Sequence, residues 1–128
     1  MLTVARIIHS EADRAAVQRV IDSPLAADVR RLFDLRARGD GYWCDVCDGV
    51  AWSSHLDAIT EFVGTYASVI RVVADVGGRV AFDTAVDERP ADASWVTIAY
   101  PPELSGRLAA VRAWASVTIY RIGDESVS

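Results

Sequence analysis

The sequence predicts a single α+β domain whose mixed sheet has about four to six strands with helices packed on it. Three observations lead there. Strand-like and helix-like patterns follow one another along the chain, Gly and Pro punctuate the changes, and 52% of the 128 residues are hydrophobic against 24% charged, the balance of one globular domain. A chain of this length buries roughly two thirds of its unfolded surface, so it needs neither disulfides nor a structural metal to fold. Residues 1–123 are expected to form the domain and 124–128 a frayed tail.

Thr3 to His9 is apolar and β-branched and reads as the first strand. Ser10 then stands at a helix N-cap, with Glu11 and Asp13 in the first turn. Ala16, Val17, Val20 and Ile21 would form the buried stripe, and Ser23-Pro24 ends this helix because a residue before proline avoids αR. Pro24 opens a second helix with Leu25, Val29, Leu32 and Phe33 inward and Gly39 as its stop. On that helix Asp34 lies four residues from both Arg30 and Arg38, which predicts a salt-bridge ladder. Asp48-Gly49 reads as a two-residue hairpin loop pairing Asp45 with Trp52 and Cys44 with Ser53, an arrangement that turns Cys44 and Cys47 to opposite faces.

From Ser54 a third helix carries Leu56, Ile59, Phe62, Val63 and Tyr66 on one side, ending around Ser68. Val69–Val76 and Arg79–Asp87 flank Gly77-Gly78 as a second hairpin. A three-residue loop there pairs Asp75 with Arg79 and Arg71 with Asp83 and gathers the apolar residues on the other face. After a polar loop from Asp87 to Ala93, Trp95 to Tyr100 is a strand. Pro101-Pro102 starts a helix with Leu104, Leu108, Val111 and Ala115, and Val117 to Ile122 is the last strand. Strand, helix and strand at that spacing predict a right-handed parallel crossover.

All 13 basic residues are arginine, and lysine and asparagine are absent. Schiff-base chemistry, pyridoxal attachment and the phosphate-loop lysine are therefore excluded. A Cys-His-Asn triad is excluded as well, and no Gly-x-Ser-x-Gly elbow occurs. No cofactor is called for. A net charge of −5 and a pI near 4.9 disfavour nucleic acid, whose affinity for proteins comes largely from a concentrated positive footprint. Arg71, Asp75, Arg112 and Arg121 interrupt the richest apolar runs, and Met1 to Ser10 lacks the pattern of a signal peptide. A cytoplasmic protein without membrane contact is expected, and lysine-free usage rich in Ala, Val and Arg points to a high-GC bacterial source.

The segment from Asp40 to Ser54 is the most unusual. Within it, Trp43-Cys44-Asp45-Val46-Cys47 resembles the Trp-Cys-x-x-Cys of thioredoxin-like oxidoreductases. That resemblance implies a first cysteine attacking as a thiolate at a helix N-terminus and a second resolving the mixed disulfide. Asp45 and Asp48 oppose it by raising a neighbouring thiol pKa through like-charge repulsion. Cys44, Cys47 and His55 offer three zinc ligands, with His9 or an aspartate as a fourth, though the second ligand pair of a tetrahedral site is missing. The simplest reading is two reduced cysteines packed around Trp43 and Trp52. His9, at the carboxyl end of the first strand, stands where a small-molecule pocket would find a titrating group. The acidic spacing of Asp40, Asp45 and Asp48 lacks the full EF-hand pattern.

Four tryptophans are many for this length, and two lie in the acidic segment. Aromatic side chains supply contact energy at low entropy cost while carboxylates steer encounter. The sequence therefore points first to a small non-catalytic protein-binding module of inhibitor or immunity type. Its surface would be Asp40, Tyr42, Trp43, Asp45, Asp48 and Trp52 and its partner a basic protein. Thiol-disulfide or zinc chemistry at Cys44 and Cys47 is the alternative, and self-association is compatible with either.

Overall fold

The computed structural model describes residues 1–39, 41–88 and 98–121. They form one α+β domain: β1 (Leu2–Ile8), α1 (Arg14–Asp22), α2 (Ala27–Phe33), β2 (Arg36–Arg38), β3 (Gly41–Asp48), α3 (Trp52–Thr65), α4 (Ala67–Asp75), β4 (Arg79–Glu88), α5 (Pro102–Ala110) and β5 (Trp114–Arg121). Single 3-10 turns, Glu11–Asp13 and Pro24–Ala26, lead into α1 and α2. The sheet runs β2-β3-β1-β4-β5. Its first four strands are antiparallel to their neighbours and β5 is parallel to β4. None of the helices among the described residues is long and apolar enough to cross a membrane.

Period two decides which face is covered. Thr3, Ala5 and Ile7 of β1, Cys44 of β3, and Val80, Phe82 and Thr84 of β4 are buried. They meet Val17, Val20 and Ile21 of α1, Val29 of α2, Ile59, Phe62 and Val63 of α3, Val69, Ile70 and Val73 of α4, and Leu104 and Leu108 of α5. The helices among the described residues therefore lie on one face of the sheet. Its other face carries Leu2, Val4, Arg6 and Ile8 of β1, none of them fully buried.

The segment read as the strand Val69–Val76 belongs to helix α4, Ala67–Asp75, with Val76 as its C-cap. Val69, Ile70 and Val73 face the core while Arg71 and Asp75 are exposed, a 3.6 period; a period of two also turns Arg71 and Asp75 outward, but with Ile70, Val72 and Ala74 inward in place of Val69 and Val73. Gly77-Gly78 is accordingly a helix stop. Gly77 has φ 91°, its N–H donates to the Ala74 carbonyl at 3.2 Å and the Gly78 N–H to Val73 at 2.9 Å, the paired bonds of a Schellman motif. The pairs Asp75–Arg79 and Arg71–Asp83 do not form. Asp75 is ion-paired with Arg112, and Asp83 is the strand partner of Val4 and Ser116.

The first hairpin also gives way. Gly41–Asp48 is one continuous strand paired with β1, and Trp52 opens α3 instead of facing Asp45. The second helix stops at Phe33, where Asp34 caps it in the left-handed region at φ 50°. That stop removes the Arg30–Asp34–Arg38 ladder, because Arg36–Arg38 is β2; Leu25, in the 3-10 turn before α2, and Leu32 on α2 are exposed and not inward. Arg30 instead donates to the carbonyls of Ile21 and Ser23 at the end of α1. Ala115 belongs to β5, so the parallel crossover runs from β4 through α5. Ile98–Tyr100 is not a strand, and Trp95–Thr97 lies outside the described residues, as do residues 89–93 of the expected loop and the tail 124–128.

Candidate interaction surface on the open face of the sheet

Residues opposite one another on neighbouring strands share a face, so the register assembles, row by row, the face that no helix among the described residues covers. One row crosses all five strands: Arg36, Trp43, Arg6, Ala81 and Trp114. Three strand intervals separate the two tryptophans, about 14 Å. On one side lies the row Arg38, Gly41, Ile8 and Arg79. On the other lie Asp45, Val4, Asp83 and Ser116, and beyond them Asp48, Leu2, Ala85 and Thr118. Four arginines occupy the first two rows and three aspartates the last two. The face is divided by charge.

The side chains follow the rows. The guanidinium groups of Arg36 and Arg38 lie 4.6 and 5.1 Å from the centre of the Trp43 ring, and Arg79 lies 5.0 Å from that of Trp114, all within cation–π range. Arg6 pairs with Asp83 at 3.7 Å. Ser116 and Thr118 donate to the same carboxylate at 3.1 and 3.2 Å. Trp114 is 58% exposed. A shallow depression of about 670 Å³ runs between Trp43, Arg38, Arg6, Ile8, Val4 and Asp83. Arg38, Arg79, Asp45 and Asp48 have no ion pair among the described residues.

Of the six residues singled out in the sequence, the sheet brings together Trp43, Asp45 and Asp48. Tyr42 stands opposite Ile7 on the covered face and packs against the core. Trp52 lies at the start of α3, where its indole N–H donates to the Ala99 carbonyl at 3.0 Å and its ring stacks on His55 and meets Tyr100 edge-on. Asp40 lies outside the described residues. The sequence reading missed Arg6, Arg36, Arg38, Arg79 and Trp114. The alternation Arg36-Ala37-Arg38 was the signal for the first edge, hidden by assigning it to a helix.

The cysteines share a face after all. A bulge shifts the register between Thr3 and Val4, so that Cys44 opposes Ala5 while Cys47 opposes Thr3, and both partners point into the covered side. Both cysteines are in a strand rather than at a helix N-terminus. Cys44 is fully buried, and burial, then the Asp45 carboxylate, push its thiol up to about 12 against a smaller opposing hydrogen bond with the Ala5 backbone. That is the reverse of an attacking thiolate.

His55 is not grouped with them. Its Nε2–H donates to the Gly49 carbonyl at 3.0 Å, so Nδ1 accepts from the Thr3 hydroxyl at 2.7 Å, and Thr3 in turn accepts from Thr84 at 2.7 Å. Both ring nitrogens are used inside the protein, and among the described residues no three His, Cys, Asp or Glu side chains come together as metal ligands. His9 donates to the Ser10 carbonyl, lies 6.4 Å from Tyr42 and does not line the open-face depression. No protein-family model matches the chain, and no curated protein or solved structure matches it either.

Proposed function

We propose that this chain is a small non-catalytic protein-binding module, of inhibitor or immunity type, that docks through the face of its sheet opposite the described helices. The observation that carries the reading is the row Arg36, Trp43, Arg6, Ala81 and Trp114. Trp and Arg are the residue types in which binding hot spots are richest, and a sheet holds them at fixed spacing with no loop to order on association. The basic partner expected from the acidic segment suits only the end carrying Asp45 and Asp48. The arginine end suits carboxylates, so the reading is of a partner of mixed charge.

The test begins with capture of a partner by the immobilised protein from the source cell, followed by titration of variants. Trp43→Ala and Trp114→Ala each weaken that partner by more than about 2 kcal/mol, the hot-spot threshold. Neutralising Asp45 and Asp48 together, or Arg36 and Arg38 together, slows association and flattens its salt dependence. A partner that binds both tryptophan variants unchanged removes this face from the reading.

A further inference from the structure

We infer that in the free protein the open face is covered by a second copy of this chain, packed face to face with strands antiparallel about a two-fold axis that lies along the rows. The inference rests on the open face being a docking surface and names its occupant.

Charge order carries it. A two-fold interface must match a surface to itself, each contact made twice. An axis between the row of Arg6 and the row of Asp45 reverses the row order, so the arginine rows of one copy meet the aspartate rows of the other. Arg6 of one copy falls beside Asp45 of the second, and Arg38 beside Asp48. Arg38, Asp45 and Asp48 are without an ion pair among the described residues of one chain. An acidic peptide or a single-stranded nucleic acid satisfies the arginine rows only and meets like charge at Asp45 and Asp48. A uniformly basic protein fails at the other end.

Size agrees. Five strands about 4.8 Å apart and four rows about 7 Å apart span roughly 20 by 20 Å, and with side-chain relief bury roughly 600–800 Å² per copy, at the lower edge of a standard interface. Leu2, Val4, Ile8, Trp43 and Trp114 add apolar area within the charged rows, and stacked sheets accept such side chains at a spacing of about 10 Å. An interface at this edge of the size range suits a reversible dimer, expected to dissociate at roughly micromolar concentration.

The experiment is sedimentation velocity over a concentration series with two double variants. Arg6→Asp with Arg38→Asp, and separately Asp45→Arg with Asp48→Arg, each weaken self-association at least about ten-fold through like charges facing one another. An equimolar mixture of the two restores a dimer, because every altered contact is then complementary, and circular dichroism establishes that each variant is folded. A wild-type protein that stays monomeric at tens of micromolar, or a dimer indifferent to both variants, overturns the inference. Failure here with a captured partner still sensitive to Trp43→Ala removes the second copy but keeps the docking face, whereas indifference to every one of these changes removes both.

Discussion

Thr3 shows how much one hydroxyl can organise. It is fully buried between Thr84 on the neighbouring strand and His55 on α3. Because Nε2 of His55 must donate to the Gly49 carbonyl, the proton order runs from Thr84 to Thr3 to His55. Thr3→Val leaves a buried Nδ1 lone pair and a buried Thr84 hydroxyl without partners, at a cost of roughly 2–4 kcal/mol. Thr84→Val keeps the Thr3–His55 bond and costs about 1 kcal/mol. Urea denaturation of the two variants separates these cases, and equal losses would sink the assigned order. Cys44 adds a dependence on pH. Below its ordinary 9.0 the thiol is protonated in folded and unfolded chains alike; above it the unfolded chain ionises first, while the folded chain holds the proton to about 12. Stability falls across that window by about 1.4 kcal/mol per pH unit. Tyr42, Tyr66 and Tyr100, also raised by burial from 10.0, act in the same direction at higher pH. Cys44→Ala, already less stable through its cavity, is expected to begin its alkaline decline about one unit later than the wild type. Parallel curves from pH 9 upward would contradict the assignment.

Among the elements, α4 depends on a residue beyond its end. Gly77 takes φ 91°, and a β-carbon there would lie 2.5 Å from the carboxyl carbon of Asp13. Gly77→Ala is therefore expected to cost about 1–2 kcal/mol from the left-handed backbone alone, and more if Asp13 cannot yield. A thermal melt measures it, and an unchanged midpoint would show that the stop is not built as described. The same glycine pair marks where the sequence misleads. Val69, Ile70, Arg71, Val73 and Asp75 are arranged so that strand and helix periods both place charge outward. Double glycine serves either as a hairpin loop or as a helix stop. Val17 of α1, which closes on Gly78 beside Val73, is a tertiary neighbour that a local pattern does not contain. Where punctuation was unambiguous the sequence was legible: Pro102 at the first position of α5, the strand from Thr3, and the inward residues of α3 all stand as the periodicity implied. The candidate surface was less so. Trp43 and Asp45 draw attention by composition, but the arginines beside them come from three other strands, and register across a sheet is not written in any one segment.

For the whole molecule, the order β2-β3-β1-β4-β5 gives β1 two neighbours that arrive much later in the chain, β3 after two helices and β4 after four. Most of the sheet is thus held by pairings between distant segments, and closing the intervening lengths is the slow part of assembling such a topology. During synthesis the central strand emerges first and cannot pair until β3 follows, while its outer edge waits until β4 is made. The apolar side of β1 emerges before any of the helices that will cover it, two of which precede β3 and two of which come between β3 and β4. The earliest strand is a template for every later one, so an error in its placement is inherited by the whole sheet and cannot be confined to one edge.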